Sequence, residues 1–198
     1  MKISLSIITL ILLQFNCFET YKPDSTKDFV DDRDGKVYNV VKIGTQEWFG
    51  ADLKYETPES FCYDNNAENC NQYGRLYNYY EAKTACPIGW RLPTESDWRK
   101  LEKEYGMNEV QLDSTRVWRG TEEGRLIKKE LGIDFSGMGK SGGKKFIGKD
   151  QLVYYWVDEE GQSGKQFSQY RMFSLSQDKI YLDQIPKKNL CYVRCIKN

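Results

Sequence analysis

The chain has 198 residues, 29 basic and 29 acidic side chains and 39% hydrophobic residues, with a mean hydropathy of -0.70, the balance of one soluble globular domain. It contains no histidine, which excludes Ser-His-Asp and Cys-His nucleophiles, His-ligated zinc and HExxH hydrolysis. Its basic residues gather only in short pairs such as Lys144-Lys145 and Lys187-Lys188, so no nucleic-acid partner is expected where a sustained phosphate-tracking patch is needed.

The N-terminus, "MKISLSIITLILLQFNC", places Lys2 before an apolar run from Ile3 to Leu13. That run is too short to span a bilayer and has the length of a signal-peptide core. Cys17 directly after it resembles the bacterial lipoprotein signal, although Gln14, Phe15 and Asn16 stand where small residues are usual. Residues 1–17 are therefore expected to be a lipoprotein-type signal with lipidation at Cys17. Residues 18–30, "FETYKPDSTKDFV", are polar and carry Pro23, which predicts a tether. The domain proper is expected over residues 31–198. An exported protein anchored in the cell envelope, at the outer membrane or the cell surface, follows from these segments.

Further along, the turn "DDRDGK" opens a predicted strand at Val37 to Ile43, with another at Glu47 to Leu53. Tyr77 to Cys86 predicts a helix stopped by Pro87. In "ACPIGWRLPTESDW", Pro87-Ile88-Gly89 turns the chain and Trp90 to Leu92 runs extended. Thr94 is then a good N-cap, with Asp97 three residues on. Trp98, Leu101 and Tyr105 set an apolar stripe on a helix over residues 95–105, and a weaker helix is predicted over Glu122 to Leu131. "SGMGKSGGKKF", Ser136 to Phe146, lacks phosphate-loop spacing and reads as a flexible loop. From Leu152 onward the runs "LVYYWV", "YRMFSL", "KIYLD" and "CYVRCI" predict strands. The expected architecture is an α+β domain, two helices followed by an antiparallel sheet.

Cysteines stand at positions 17, 62, 70, 86, 191 and 195. Export favours disulfides among the five beyond Cys17, leaving one thiol unpaired. On a straight strand, four residues at about 3.3 Å each separate Cys191 and Cys195 by about 13 Å on one face, whereas a disulfide tolerates about 7 Å. These two are not expected to bond to each other. Cys62 and Cys70 bracket "CYDNNAENC" and form the natural local pair. A bridge from Cys86 to the C-terminal run, at Cys191 or Cys195, would close a loop of about 110 residues, worth roughly 4 to 5 kcal/mol against roughly 2.5 for the short loop.

The segments Asp32 to Tyr55, Cys62 to Trp98, Tyr154 to Glu160 and the ending "YVRCIKN" together resemble the Fibrobacter succinogenes major paralogous domain, in order over about residues 31–198. That resemblance implies an exported, often lipid-anchored bacterial protein. "RLPTESDW" is also similar to a segment of formylglycine-generating, sulfatase-modifying proteins, which implies a C-type-lectin-like domain: two helices packed on a twisted antiparallel sheet, disulfide-stapled, with its ends brought together. The family ending carries its cysteine after a Val-Arg pair, which favours Cys195 as the partner of Cys86. "YYWVDEE" departs from the family's usual Trp-Ser-Ser-Thr run, and Cys191 is an additional cysteine.

Formylglycine-generating enzymes hold copper on a C-terminal cysteine pair, and that chemistry is the alternative reading here. Two thiolates on one metal need sulfurs within about 4 Å of each other, given metal-sulfur bonds near 2.3 Å, which the extended spacing of Cys191 and Cys195 opposes. No catalytic residue, cofactor or metal is assigned. Asp64, Asn66 and Glu68, and separately Asp31, Asp32 and Asp34, each supply about half the oxygens that calcium needs, and read as turns. Trp48, Trp90, Trp98 and Trp156 fall in fold-defining motifs, while Trp118, flanked by Arg116 and Arg119, is the candidate exposed contact. Asp134 to Arg171 is the second candidate surface, with Asp158, Glu159 and Arg171 as binding residues. The expected function is a lipid-anchored module that binds a glycan or an extracellular protein. A structural envelope protein without a ligand is the third reading.

Overall fold

A computed structural model describes residues 25–198; the signal segment, Cys17 and the first part of the tether lie outside the described residues. The tether is shorter than expected, because Ser25–Val30 forms strand β1 and pairs antiparallel with β2, Val37–Ile43. Phe29 packs its ring 5.5 Å from Phe49 and 5.4 Å from Trp90, a burial that the polar composition of its segment does not disclose. Asp31 closes the turn between the two strands, taking Arg33 on its carboxylate at 2.7 Å.

β2 leads through a tight turn into β3, Gln46–Phe49. The predicted strand to Leu53 leaves regular pairing after Phe49, and there Leu53 donates its N–H to Val193 instead. β4, Ser60–Phe61, and β5, Leu76–Tyr77, form a two-stranded sheet around α1, Ala67–Tyr73, which is capped by Asn66. The Cys62–Cys70 bridge, with alpha carbons 4.9 Å apart, ties that helix to the turn before it.

α2, Tyr79–Ala85, starts two residues later than predicted, because Tyr77 exchanges backbone hydrogen bonds with Cys191 and Asn78 supplies the cap. Cys86 is extended before Pro87, as the residue preceding a proline must be. Gly89 turns at φ 85° into β6, Trp90–Arg91. Then follow α3, Glu95–Glu104, with its full capping box between Thr94 and Asp97, and α4, Glu109–Asp113. Arg91 reinforces the box through two bonds to Asp97, at 2.5 and 3.1 Å.

β7 is Trp118–Arg119 and α5 is Glu123–Glu130. The segment expected to be a flexible loop is instead a hairpin of β8, Ser136–Gly139, and β9, Phe146–Lys149, and all four residues of β8 are buried. Its glycines allow the close approach: a Cβ on Gly137 would stand 2.5 Å from the Ile147 carbonyl oxygen. β10, Leu152–Glu160, β11, Phe167–Ser174, and β12, Gln177–Pro186, form a meander, and β13, Ile196–Lys197, ends the chain.

The molecule is a mixed α+β fold with three sheets and five α-helices among the described residues, rather than two helices followed by one sheet. One sheet runs β1-β2-β3-β13-β6, so its strands come from both ends of the described chain, and the larger runs β7-β12-β11-β10-β8-β9. The larger sheet is antiparallel except where β10 meets β8 in parallel.

The C-terminal run explains how these layers hold together. Leu190, Tyr192 and Ile196 join a core containing Trp48, Trp98 and Phe173. Cys191, Val193 and Cys195 join a second core containing Phe49, Tyr77 and Trp156. The run therefore keeps the alternation of a strand with both faces buried. It is a septum rather than a continuous ladder, and its backbone bonds go to Gly139, Tyr77, Tyr154 and Trp156, Leu53 and Phe49 in turn. The Cys86–Cys195 bridge, with alpha carbons 5.9 Å apart, fastens this septum to the corner before β6.

Candidate functional site

β7 is an edge strand whose two residues face opposite ways, because side chains alternate across a strand. Arg119 points inward. It meets Glu102 of α3 at 2.6 and 2.7 Å and gives another hydrogen bond to the Leu112 carbonyl at 2.6 Å. Glu102 also accepts from Arg171 of β11 at 2.7 Å, and Arg171 pairs with Glu95 at 2.8 Å. Glu102 and Arg171 are 0% exposed and Arg119 is 2% exposed. Burial, together with the neighbouring charge of Arg171, pushes Arg119 down to about 10 against the pull of Glu102, so it stays charged at neutral pH.

Arg171 is thus removed from the ligand-contact set. Its guanidinium lies inside the core, where an unpaired charge is prohibitively costly, and all of its ionic partners are internal. It holds the sheet against α3 from behind.

Trp118 faces the other way and remains half-buried, edge-on to Tyr181 with ring centroids 5.4 Å apart. Arg116, two residues earlier and on the same side, is exposed and pairs with Asp183 at 3.2 Å. Its φ of 60° is unusual for a residue other than glycine, and its N–H bonds to the Leu182 carbonyl at 2.8 Å. Beside this corner lies a cleft of about 260 Å³ whose lining includes Arg116, Gln162, Ser163, Gln169, Asp183 and Gln184. Ser163 and Gln184 lock the β10–β11 turn to β12 by reciprocal hydrogen bonds at 2.9 and 2.7 Å. Gln169 Oε1 is buried there with no hydrogen-bond partner among the described residues.

Of the candidate contact residues Arg116 lines the cleft, Trp118 follows two residues later in β7 without lining it, and Asp158 and Glu159 do not line it either. Asp158 accepts the Tyr79 hydroxyl at 2.9 Å and pairs with Lys83 at 2.9 Å, while its N–H reaches the Pro93 carbonyl. It joins β10 to α2 and to the helix-connecting corner. Glu159 is exposed, and its carbonyl accepts from Ser168.

The oxygen clusters have other employment. Asp31 is buried against Arg33, Asp34 pairs with Lys36, and Asn66 caps α1. Among the described residues no group of three or more His, Cys, Asp or Glu side chains is arranged to hold a metal ion. Cys195 is consumed in its bridge, whereas Cys191 is a buried free thiol that burial holds well above its ordinary value of 9.0. The two-thiolate copper arrangement considered for an oxidase is therefore not built.

Sequence reasoning missed two internal clusters and Gln169. One is the Glu102 group; the other joins Arg194 to Asp52 at 2.5 Å, with Tyr155 within 3.2 Å of the guanidinium. The available signal was an arginine inside each of the apolar runs "YRMFSL" and "CYVRCI", because a guanidinium flanked by core residues must find a buried partner.

Comparison with known proteins agrees with this architecture's sequence signature: the model of the Fibrobacter succinogenes major domain matches residues 41–197. No curated protein and no solved structure matches the chain. The matched region contains the first core, most of the second, both disulfides and the Arg116–Trp118 corner, and the chain belongs to the Fibrobacter succinogenes major domain family.

Proposed function

We propose that the protein is an exported, lipid-anchored binding module, built on a C-type-lectin-like scaffold, that recognises a glycan or an extracellular protein at the β7 edge. The observation that carries this reading is the division of labour in β7: Arg119 is pinned in the core by Glu102, while nearby Arg116 stands exposed and Trp118, half-buried against Tyr181 and the second core, keeps only part of its side chain accessible. A rigid aromatic and a guanidinium on a fixed strand are the residue types that anchor binding interfaces. Two disulfides are consistent with an exported domain. The lectin-like scaffold is supported by the pairing of strands from both ends of the described chain in one sheet.

Purified full-length protein screened on a glycan array and against extracellular protein extract is expected to show saturable binding. Trp118→Ala should weaken it by about five- to thirtyfold, the loss of an interface anchor, with an unchanged circular dichroism spectrum. A flat result in both screens would favour the structural envelope protein. The anchor has its own check: Cys17→Ala is expected to move the protein from the membrane fraction to the soluble fraction, and unchanged fractionation would refute lipidation.

A further inference from the structure

We infer that the corner where the β8–β9 hairpin meets the C-terminal run is a second binding surface, separate from the β7 edge, for an acidic polysaccharide whose carboxylates pair with Lys140, Lys144, Lys145 and Lys188. It goes beyond the binding-module reading and is tested apart from it.

The sequence holds its basic residues in short pairs, and the fold joins two of them. Gly139 and Leu190 exchange backbone hydrogen bonds at 2.9 Å in both directions, which sets the hairpin tip beside residues 187–189. Ser141, Gly142 and Lys188 consequently line one cleft. Within the hairpin the register of Met138 with Ile147 and Gly139 with Phe146 continues one step outward, where the Lys140 N–H donates to the Lys145 carbonyl at 2.7 Å. Two lysines thus stand directly opposite each other, a destabilising arrangement for like charges. Lys144 lies in the turn between them, and all three are exposed, as is Lys188.

What marks this corner is its shortage of internal counter-charge. Lys187 is engaged by Glu160 at 3.1 Å and Lys149 by Asn69 at 3.1 Å, whereas the side chains of the four exposed lysines have no ion pair or hydrogen bond among the described residues. Against them stand Glu59, which lines the cleft and accepts from Asn78 at 2.7 Å, and Asp64, next to the Asn65 amide that donates to the Gly143 carbonyl at 3.1 Å. Two carboxylates do not balance four ammonium groups. In a chain whose net charge is zero, that local excess attracts anions.

The shape of the cleft selects among them. A recess of about 320 Å³ admits one unit of a chain and gives a flat bilayer surface little to touch. Tyr80 of α2, 64% exposed, and Pro58 form its apolar rim. An aromatic face beside a set of cations suits a sugar ring that carries a carboxylate, the ring packing on Tyr80 while the acid takes charge-assisted hydrogen bonds. The two disulfides are consistent with an exported domain, for which an extracellular polysaccharide is the more accessible polyanion than a nucleic acid.

Full-length protein titrated by calorimetry with oligogalacturonate tests the assignment. Binding that weakens as salt rises is expected, with none to the methyl-esterified oligomer, which keeps the rings and lacks the charges. Lys140→Gln with Lys145→Gln should weaken binding by about five- to twentyfold, and because it relieves a like-charge opposition the melting temperature should hold or rise. Glu59→Gln should strengthen binding by about two- to fivefold, a gain that damage to the fold does not produce. Lys100→Gln with Lys129→Gln, which removes the same charge from α3 and α5, should change nothing, and neither should Trp118→Ala. Equal affinities of the Lys140/Lys145 and Lys100/Lys129 double variants would overturn the site, as would equal binding of the methyl ester. Tighter binding of poly-glutamate or of an oligothymidylate, or a preference for phosphatidylglycerol over phosphatidylcholine vesicles that the Lys140/Lys145 variant abolishes, would overturn the polysaccharide as occupant. No binding of oligogalacturonate would overturn this surface alone, since the β7 reading is decided by ligands whose affinity falls in Trp118→Ala.

Discussion

Arg171 shows at the scale of one residue what the chain discloses and what it withholds. Its position in "YRMFSL" announces a strand, and its residue type suggests a surface. The decisive fact is Glu102, 69 positions away in sequence and 2.7 Å away in space. Nothing local in "WRKLEKE" distinguishes Glu102 from its exposed neighbours except its place on the apolar stripe of Trp98 and Leu101, one residue beyond Leu101 and four beyond Trp98. The cluster has a measurable consequence. Glu102→Gln preserves volume but strips the shared carboxylate from two buried arginines, and the expected loss of unfolding free energy is about 3 to 5 kcal/mol. Urea denaturation measures it, with Glu109→Gln on the exposed face as the control that should leave the midpoint unchanged. A loss indistinguishable from that control would mean the arginines are solvated, and Trp118 would then lack its fixed backing.

At the scale of elements, capping chemistry and helix stops were legible because they are local. Thr94 and Asp97 place the start of α3 to the residue, and Pro87 marks the exit from α2. The β8–β9 hairpin was not legible, since its glycines resemble loop residues until Ile147 and Leu190 are seen to need the space a side chain would occupy. The C-terminal run was legible in part: its alternation is real, but its bonding partners come from five separate places in the fold. That scattering makes the Cys86–Cys195 bridge the clasp of the structure. It spans 109 positions against 8 for Cys62–Cys70. In the chain-entropy model, replacing both cysteines of the long bridge by alanine should remove about 4 to 5 kcal/mol, and of the short one about 2.5. Equal losses in chemical denaturation would show that the septum is held by its packing alone.

For the whole molecule, two buried cores share the C-terminal run as their divider, and the larger sheet extends from them to an edge whose inner side is fixed by Glu102 and whose outer side carries the half-buried Trp118. Family membership was readable from motif order and the Cys62–Cys70 bridge from cysteine spacing, whereas spacing left Cys86 with either Cys191 or Cys195 and only the family resemblance favoured Cys195. The number of sheets was not, because short strands such as β4, β6 and β7 exist only through their partners. Arg116 and Trp118 could be picked out as a flanked aromatic, whereas the cleft beside them needed β11, β12 and the β10–β11 turn to be brought together. The account therefore stands on where a ligand settles. Backbone and indole NMR shifts of the full-length protein, titrated with the tightest-binding uncharged glycan of the array, test this most directly. The account predicts saturable shifts concentrated at Thr115 to Arg119 and Tyr181 to Asp183, including the Trp118 indole. Shifts from that ligand clustered instead around Tyr80 and Lys188, on a different surface, would contradict it.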